Sequence, residues 1–147
     1  MKTDLGYELT AAVLATANAF LRESQRLFRP HGLTGAQYNV LSILAAHPDG
    51  ISQRELSDAL VVDRSNVTGL LDRMEKAGWV HRTDDPEDRR VYRVVLSVKG
   101  RRMWEKLEPR YREVVGQVTR GLSAQRMRDC VEILRRLETE AAAWKLP

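Results

Sequence analysis

Apolar positions divide the chain into three zones. Between about residues 4 and 30, Leu9, Val13, Ala17, Phe20 and Leu27 recur at the spacing of one helix face. Arg29-Pro30-His31-Gly32 ends that run with a proline and a glycine. In the central zone Thr34 is placed to cap a short helix bearing Tyr38, Leu41, Ile43, Leu44 and Ala45, closed by His47-Pro48-Asp49-Gly50. Ser52-Gln53-Arg54-Glu55 has the form of a capping box, in which the hydroxyl and the carboxylate satisfy each other's backbone donors, and predicts a helix to about Leu60. Asp63 is placed to cap the next helix, from Arg64 to about Ala77, with Gly78 at its end. Two β-rich runs follow, Trp79 to Thr83 and Val91 to Leu96, with the turn-forming Asp84-Asp85-Pro86-Glu87-Asp88 between them, which predicts a hairpin.

The third zone is helical again. Trp104, Leu107, Tyr111, Val114, Val115 and Val118 recur at threes and fours. Gly121 and Ser123 interrupt them, and Met127, Val131, Leu134, Leu137 and Ala141 carry the pattern on. The predicted class is mainly α with a small β-hairpin wing: a winged helix-turn-helix lobe over about residues 34–100, and long terminal helices over about 4–30 and 98–144, within a single domain, 1–147. The apolar residues from Trp104 to Leu137 would leave too large an uncovered patch on a monomer, so a seam between two copies is expected there.

The short link Val61-Val62-Asp63 sets the second central helix at a steep angle to the first, the arrangement in which the second helix enters the major groove. Val67, Leu70, Leu71, Met74 and Gly78 form its inner face. Ser65, Thr68, Gly69, Asp72 and Lys76 lie opposite, flanked by Asn66 and Arg73. Small hydroxyl and amide groups at a helix N-terminus reach base edges, and the positive end of the helix dipole favours phosphate. An interior glycine costs about 1 kcal/mol against alanine; close approach of DNA and simple drift at an exposed position explain Gly69 equally well.

Charge changes the picture locally rather than in total. A net charge of +4 on 147 residues, with 43% hydrophobic and 30% charged, describes an ordinary globular chain. From Arg89 to Arg102, however, the chain carries Arg89, Arg90, Arg93, Lys99, Arg101 and Arg102 and no carboxylate. Guanidinium groups on a projecting ribbon suit a narrow minor groove, and Asp88 stands two residues before Arg90, where it can orient that side chain.

At this point the sequence resembles a known family. Ile51-Ser52-Gln53-Arg54-Glu55-Leu56, Val62-Asp63-Arg64-Ser65-Asn66-Val67-Thr68 and Leu71-Asp72-Arg73-Met74-Glu75-Lys76-Ala77-Gly78 are similar to the DNA-binding lobe of the MarR (multiple antibiotic resistance regulator) family. So are the wing segment Asp85-Pro86-Glu87-Asp88-Arg89-Arg90 and the following Val94-Val95-Leu96-Ser97 and Gly100. The resemblance implies a homodimer with interleaved terminal helices and one winged lobe per half-site. It implies Ser65, Asn66 and Thr68 in the major groove, and Arg90, supported by Asp88, in the minor groove. With Arg54, Arg64, Gly69, Arg73 and Arg89 these make the expected DNA-facing set. It further implies a small aromatic or anionic effector that weakens DNA binding. For that effector the expected lining is Phe20, Tyr38, Trp104 and Tyr111, with Arg101 for a carboxylate.

Other chemistry is thin. Cys130 beside Val131 is expected to be a buried, inert thiol, because reactivity needs an exposed electropositive setting. His31, His47 and His81 have no metal-ligand spacing, and no nucleophile or phosphate-loop motif is present, so neither a metal, a cofactor nor an enzyme is expected. One cysteine, no signal pattern and no long apolar run lead to the expectation of a cytoplasmic protein with no membrane partner. The function expected is sequence-specific transcription regulation, with double-stranded DNA and a second copy of the chain as partners. A winged module used for protein contact is the rival, and the salt dependence of DNA binding separates the two.

Overall fold

The computed structural model describes residues 4–60, 66–88 and 90–145. They fall into two compact units parted between Tyr111 and Arg112. Helix α1 (Leu5–Phe28) starts behind Asp4, whose carboxylate accepts from the Gly6 N–H at 2.9 Å. A 3-10 turn, Arg29–His31, ends it. Helix α2 (Gly35–Ala45) has Thr34 and Gln37 in a complete capping box, and α3 (Gln53–Ala59) has Ser52 and Glu55 in another. These two starts follow from the local pattern, because a capping box needs residues only three apart.

Between them lies a strand too short to show a period-two alternation. β1 (Ile51–Ser52) pairs antiparallel with β3 (Tyr92–Leu96), which also pairs with β2 (Val80–Asp84). The expected hairpin is therefore two strands of a three-stranded sheet in the order β1-β3-β2, with Ile51 opposite Val94 and Val80 opposite Leu96.

The start of the second central helix differs from expectation. Asp63 and Arg64 lie outside the described residues, and α4 (Val67–Lys76) begins behind Asn66, whose Oδ1 accepts from the Gly69 N–H at 3.1 Å. At its other end the Lys99 ammonium donates to the Ala77 carbonyl at 2.6 Å. Helix α5 (Val98–Thr119) follows, with the Ser97 hydroxyl donating to Gly78 O at 2.6 Å and accepting from Gly100 N at 2.9 Å. Gly100 is obligatory here, since a Cβ on it would stand 2.0 Å from the Trp79 carbonyl oxygen.

The core lies between α2, α3, α4 and the sheet. Leu41, Leu44, Leu56, Leu60, Leu71 and Met74 are fully buried, with Phe28 and Leu33 entering from the end of α1 and Leu107 from α5. This corrects the expected dimer seam. Leu107 is core of the winged lobe, and Trp104 and Tyr111 pack against that core; a helix period shows that a residue is on an apolar face without showing what covers it. Helix α6 (Ala124–Ala142) has no buried residue, and Cys130 on it is exposed rather than buried.

Candidate nucleic-acid interface

The face expected to meet DNA is assembled from α3, α4 and the wing. Each part is held by a contact that spends some polar groups and leaves others free. At the start of α4 the Asn66 carboxamide is the cap, so its oxygen is committed to the backbone and its amide nitrogen is not. A Cβ on Gly69 would lie 2.6 Å from Asn66 Oδ1, so any other residue here would have to shift that side chain. Thr68, exposed in the first turn of the helix, accepts from Gln53 Nε2 at 2.7 Å, which ties the first residue of α3 to α4.

Arg82 braces β2 against α4. Its guanidinium donates to Asp72 at 2.7 Å and pairs with Glu75, while Glu75 also accepts from the Arg82 N–H at 3.0 Å. The Asp72 hydrogen bond, above all, holds the Arg82 proton more tightly than usual. In the wing, Arg93 Nε donates to Asp85 Oδ2 at 2.6 Å, and its Nη1 reaches Gly50 O at 3.3 Å. Asp85 also accepts from the Glu87 and Asp88 N–H groups at 2.8 and 3.1 Å. The Arg93 hydrogen bond, followed by the Glu87 amide, holds the Asp85 carboxyl below its ordinary range. Arg93 and Lys99, counted among the basic groups of the wing region, are thus occupied in holding the fold together.

Arg90 is different. Asp88 accepts from its N–H at 3.0 Å, from Nε at 3.1 Å and from Nη2 at 3.2 Å, a two-pronged pair that fixes the guanidinium plane. The Arg90 side chain is nonetheless 89% exposed. The same pair, led by the guanidinium hydrogen bond, holds the Asp88 carboxyl below its ordinary range. Arg54 and Arg73 are exposed and make no ion pair among the described residues. Arg64, Ser65 and Arg89 lie outside the described residues.

Two shallow hollows join these groups into one surface. One, of about 370 Å³, is lined by Ser52, Gln53, Arg54, Arg82, Arg90, Val91, Tyr92 and Val94. The other, of about 460 Å³, is lined by Gln53, Arg54, Ser57, Asp58, Asn66, Val67 and Thr68. Gln53 and Arg54 belong to both. Gln53 and Arg82 were absent from the sequence expectation because their partners, 15 and up to 10 residues away, are set by the fold.

The expected effector residues are brought together only in part. Phe20, Tyr38 and Tyr111 line a cleft of about 520 Å³ with Phe28, Ser24, Asn39 and Ser42. The Phe28 and Tyr38 rings stack at 4.3 Å, with Tyr111 5.0 Å from Tyr38. Trp104 and Arg101 are not in the lining, which contains no basic residue. The Tyr38 hydroxyl instead donates to Glu108 Oε2 at 2.7 Å; burial first, then this carboxylate, keeps the phenol protonated well above its ordinary range. Ser42 Oγ is buried and has no hydrogen-bond partner among the described residues.

Comparison with known proteins identifies the family. Residues 31–91 match the sequence model of the MarR family. The chain is 35% identical over 120 residues to the transcriptional activatory protein BadR of Rhodopseudomonas palustris, covering 80% of this chain and 69% of that one. It is 26% identical over 126 residues to the homoprotocatechuate degradative operon repressor of Escherichia coli, covering 86% and 84%. Among solved structures, a mutant MarR from E. coli complexed with operator DNA superposes with a TM-score of 0.77 at 26% identity, covering 92% and 99%. The chain belongs to the MarR family. It is a winged-helix, DNA-binding transcription regulator and not an enzyme. No helix among the described residues is long and apolar enough to cross a membrane.

Proposed function

We propose that the protein is a homodimeric repressor that binds an inverted-repeat operator, with α4 of each copy in the major groove and Arg90 of each wing in the adjacent minor groove. The observation that carries this reading is the continuous surface on which Asn66, Thr68, Arg54 and Arg90 meet, with Arg90 exposed and aimed by Asp88. A two-fold dimer presents two such surfaces about one helical turn apart, roughly 10 base pairs. Dimer formation is supported by apolar groups that the single chain leaves uncovered: Leu9, Leu14, Phe20 and Leu21 on α1, and Val131, Ile133 and Leu134 on α6. Repression is supported by the homoprotocatechuate operon repressor. The cleft of Phe20, Tyr38 and Tyr111 would admit a small aromatic effector, gripped by rings rather than by a guanidinium.

The test is the salt dependence of operator affinity. Full-length protein, given duplexes that it selects from genomic fragments, should lose affinity steeply as salt rises. Arg90→Ala should weaken binding to every sequence by about tenfold and reduce the slope of log affinity against log salt by about one. Unchanged affinity at physiological salt would remove the wing from the interface.

A further inference from the structure

A hydroxyl carries one proton and two acceptor lone pairs, so the partner it already has decides what it can offer next. The Thr68 oxygen accepts from Gln53 Nε2 at 2.7 Å, which takes up one of its two lone pairs and leaves its proton to point elsewhere. Asn66 is committed in the same sense. Its oxygen takes the Gly69 N–H at 3.1 Å, and its NH₂ remains. Both neutral polar groups in the first turn of α4 therefore keep a free donor while part of their acceptor capacity is spent, and Arg54 on the same surface adds donors only.

From this geometry we infer that Gln53 is a positioning residue for base recognition: by occupying the Thr68 oxygen it turns the Thr68 proton toward DNA, so that this position selects a base-edge acceptor. In the major groove the acceptors are N7 and O6 of guanine and O4 of thymine, whereas cytosine shows a donor and adenine a donor beside N7. The inference rests on the reading that α4 enters the major groove. It adds a direction to that contact, and a residue outside α4 that sets it. A clamp serving only to hold α3 against α4 would affect stability and leave base preference alone.

The experiment is binding-site selection from random duplex DNA with the full chain, followed by affinity measurements on single base-pair swaps. Thr68→Val, which keeps the shape and removes the hydroxyl, should flatten a guanine or thymine preference at one position per half-site by about tenfold. Thr68→Ser should retain it. Gln53→Glu replaces the donor with a carboxylate that can only accept. Thr68 must then give its proton to position 53 and turn lone pairs outward, and the preference at that one position should move to adenine or cytosine. In a Thr68→Val background Gln53→Glu should change no preference further. Melting temperatures within a few degrees of the parent would show that the shift is not partial unfolding.

If Thr68→Val flattens the position but Gln53→Glu leaves the preference as in the parent, the role of Gln53 is overturned while the major-groove reading stands. An equal loss of affinity on all sequences from Thr68→Val would mean that its proton meets a phosphate oxygen, and would overturn base selection. If neither Thr68→Val nor Asn66→Ala alters any preference, the placement of α4 itself fails.

Discussion

The winged lobe and helix α6 both carry leucine, valine and arginine, yet they solve the problem of burial in opposite ways. Every buried side chain among the described residues precedes Arg112, and seven fully buried leucines, with Met74 and Phe28, form the lobe's own core. Its helix starts are capped, and its charged groups Arg82 and Arg93 close ion pairs with carboxylates seven to ten residues away. On α6, by contrast, Val131 and Ile133 remain 46% and 53% exposed. The capping hydroxyl of Ser123 is in place, so the helix is locally complete while its apolar stripe is uncovered. The lobe carries its stability within one chain. An uncovered apolar stripe is the physical basis for the proposal of a dimer.

Glycines on the same helix break the comparison most sharply. Gly100 at the start of α5 has the Trp79 carbonyl 2.0 Å from where a Cβ would stand, whereas Gly116 near its end has nothing within 4 Å. Gly100→Ala should destabilise the protein by about 3 kcal/mol in urea unfolding, through overpacking against backbone that cannot yield. Gly116→Ala should be neutral or gain up to about 1 kcal/mol of helix propensity. A large loss at Gly116 would mean that a partner chain lies against it.

Next comes the stripe itself. Val131→Asp with Leu134→Asp should shift sedimentation at micromolar concentration from dimer to monomer and remove specific DNA binding. Near-ultraviolet circular dichroism of the buried Trp79 should remain that of a folded lobe. If the double variant unfolds the lobe as well, the two regions are not independent in stability; if it stays dimeric, α6 is not the seam.

A smaller effect probes how finely the lobe is fitted at the DNA-facing surface. Asn66→Ala should cost about 1 kcal/mol by removing the cap of α4. Gly69→Ala alone should also destabilise, because its Cβ displaces the Asn66 carboxamide. In the Asn66→Ala background the same change should turn stabilising, by up to about 1 kcal/mol, as the helix gains alanine and nothing remains to displace. A double-mutant cycle with no change of sign would show that the two residues are uncoupled.

What could be read without the fold was whatever depends on near neighbours in the chain. Ser52 and Glu55, three apart, announce a helix start whatever surrounds them, and the turn-rich stretch Asp84 to Asp88 announces a hairpin. The pairing of Asp88 with Arg90 was legible for the same reason. Only the tertiary structure decided how groups far apart are used. Arg93 and Lys99 look as available as Arg90 in the sequence, but partners 8 to 43 residues away commit them to Asp85, Gly50 and Ala77. Leu107 repeats at the same helical period as Leu134, yet one is sealed in the lobe and the other is left in the open. Two-residue β1 has no periodicity to read and exists because β3 lies beside it. Local geometry and hydrogen-bond capacity are properties of a few consecutive residues, whereas covering an apolar face or neutralising a charge depends on what the folded chain brings up against it.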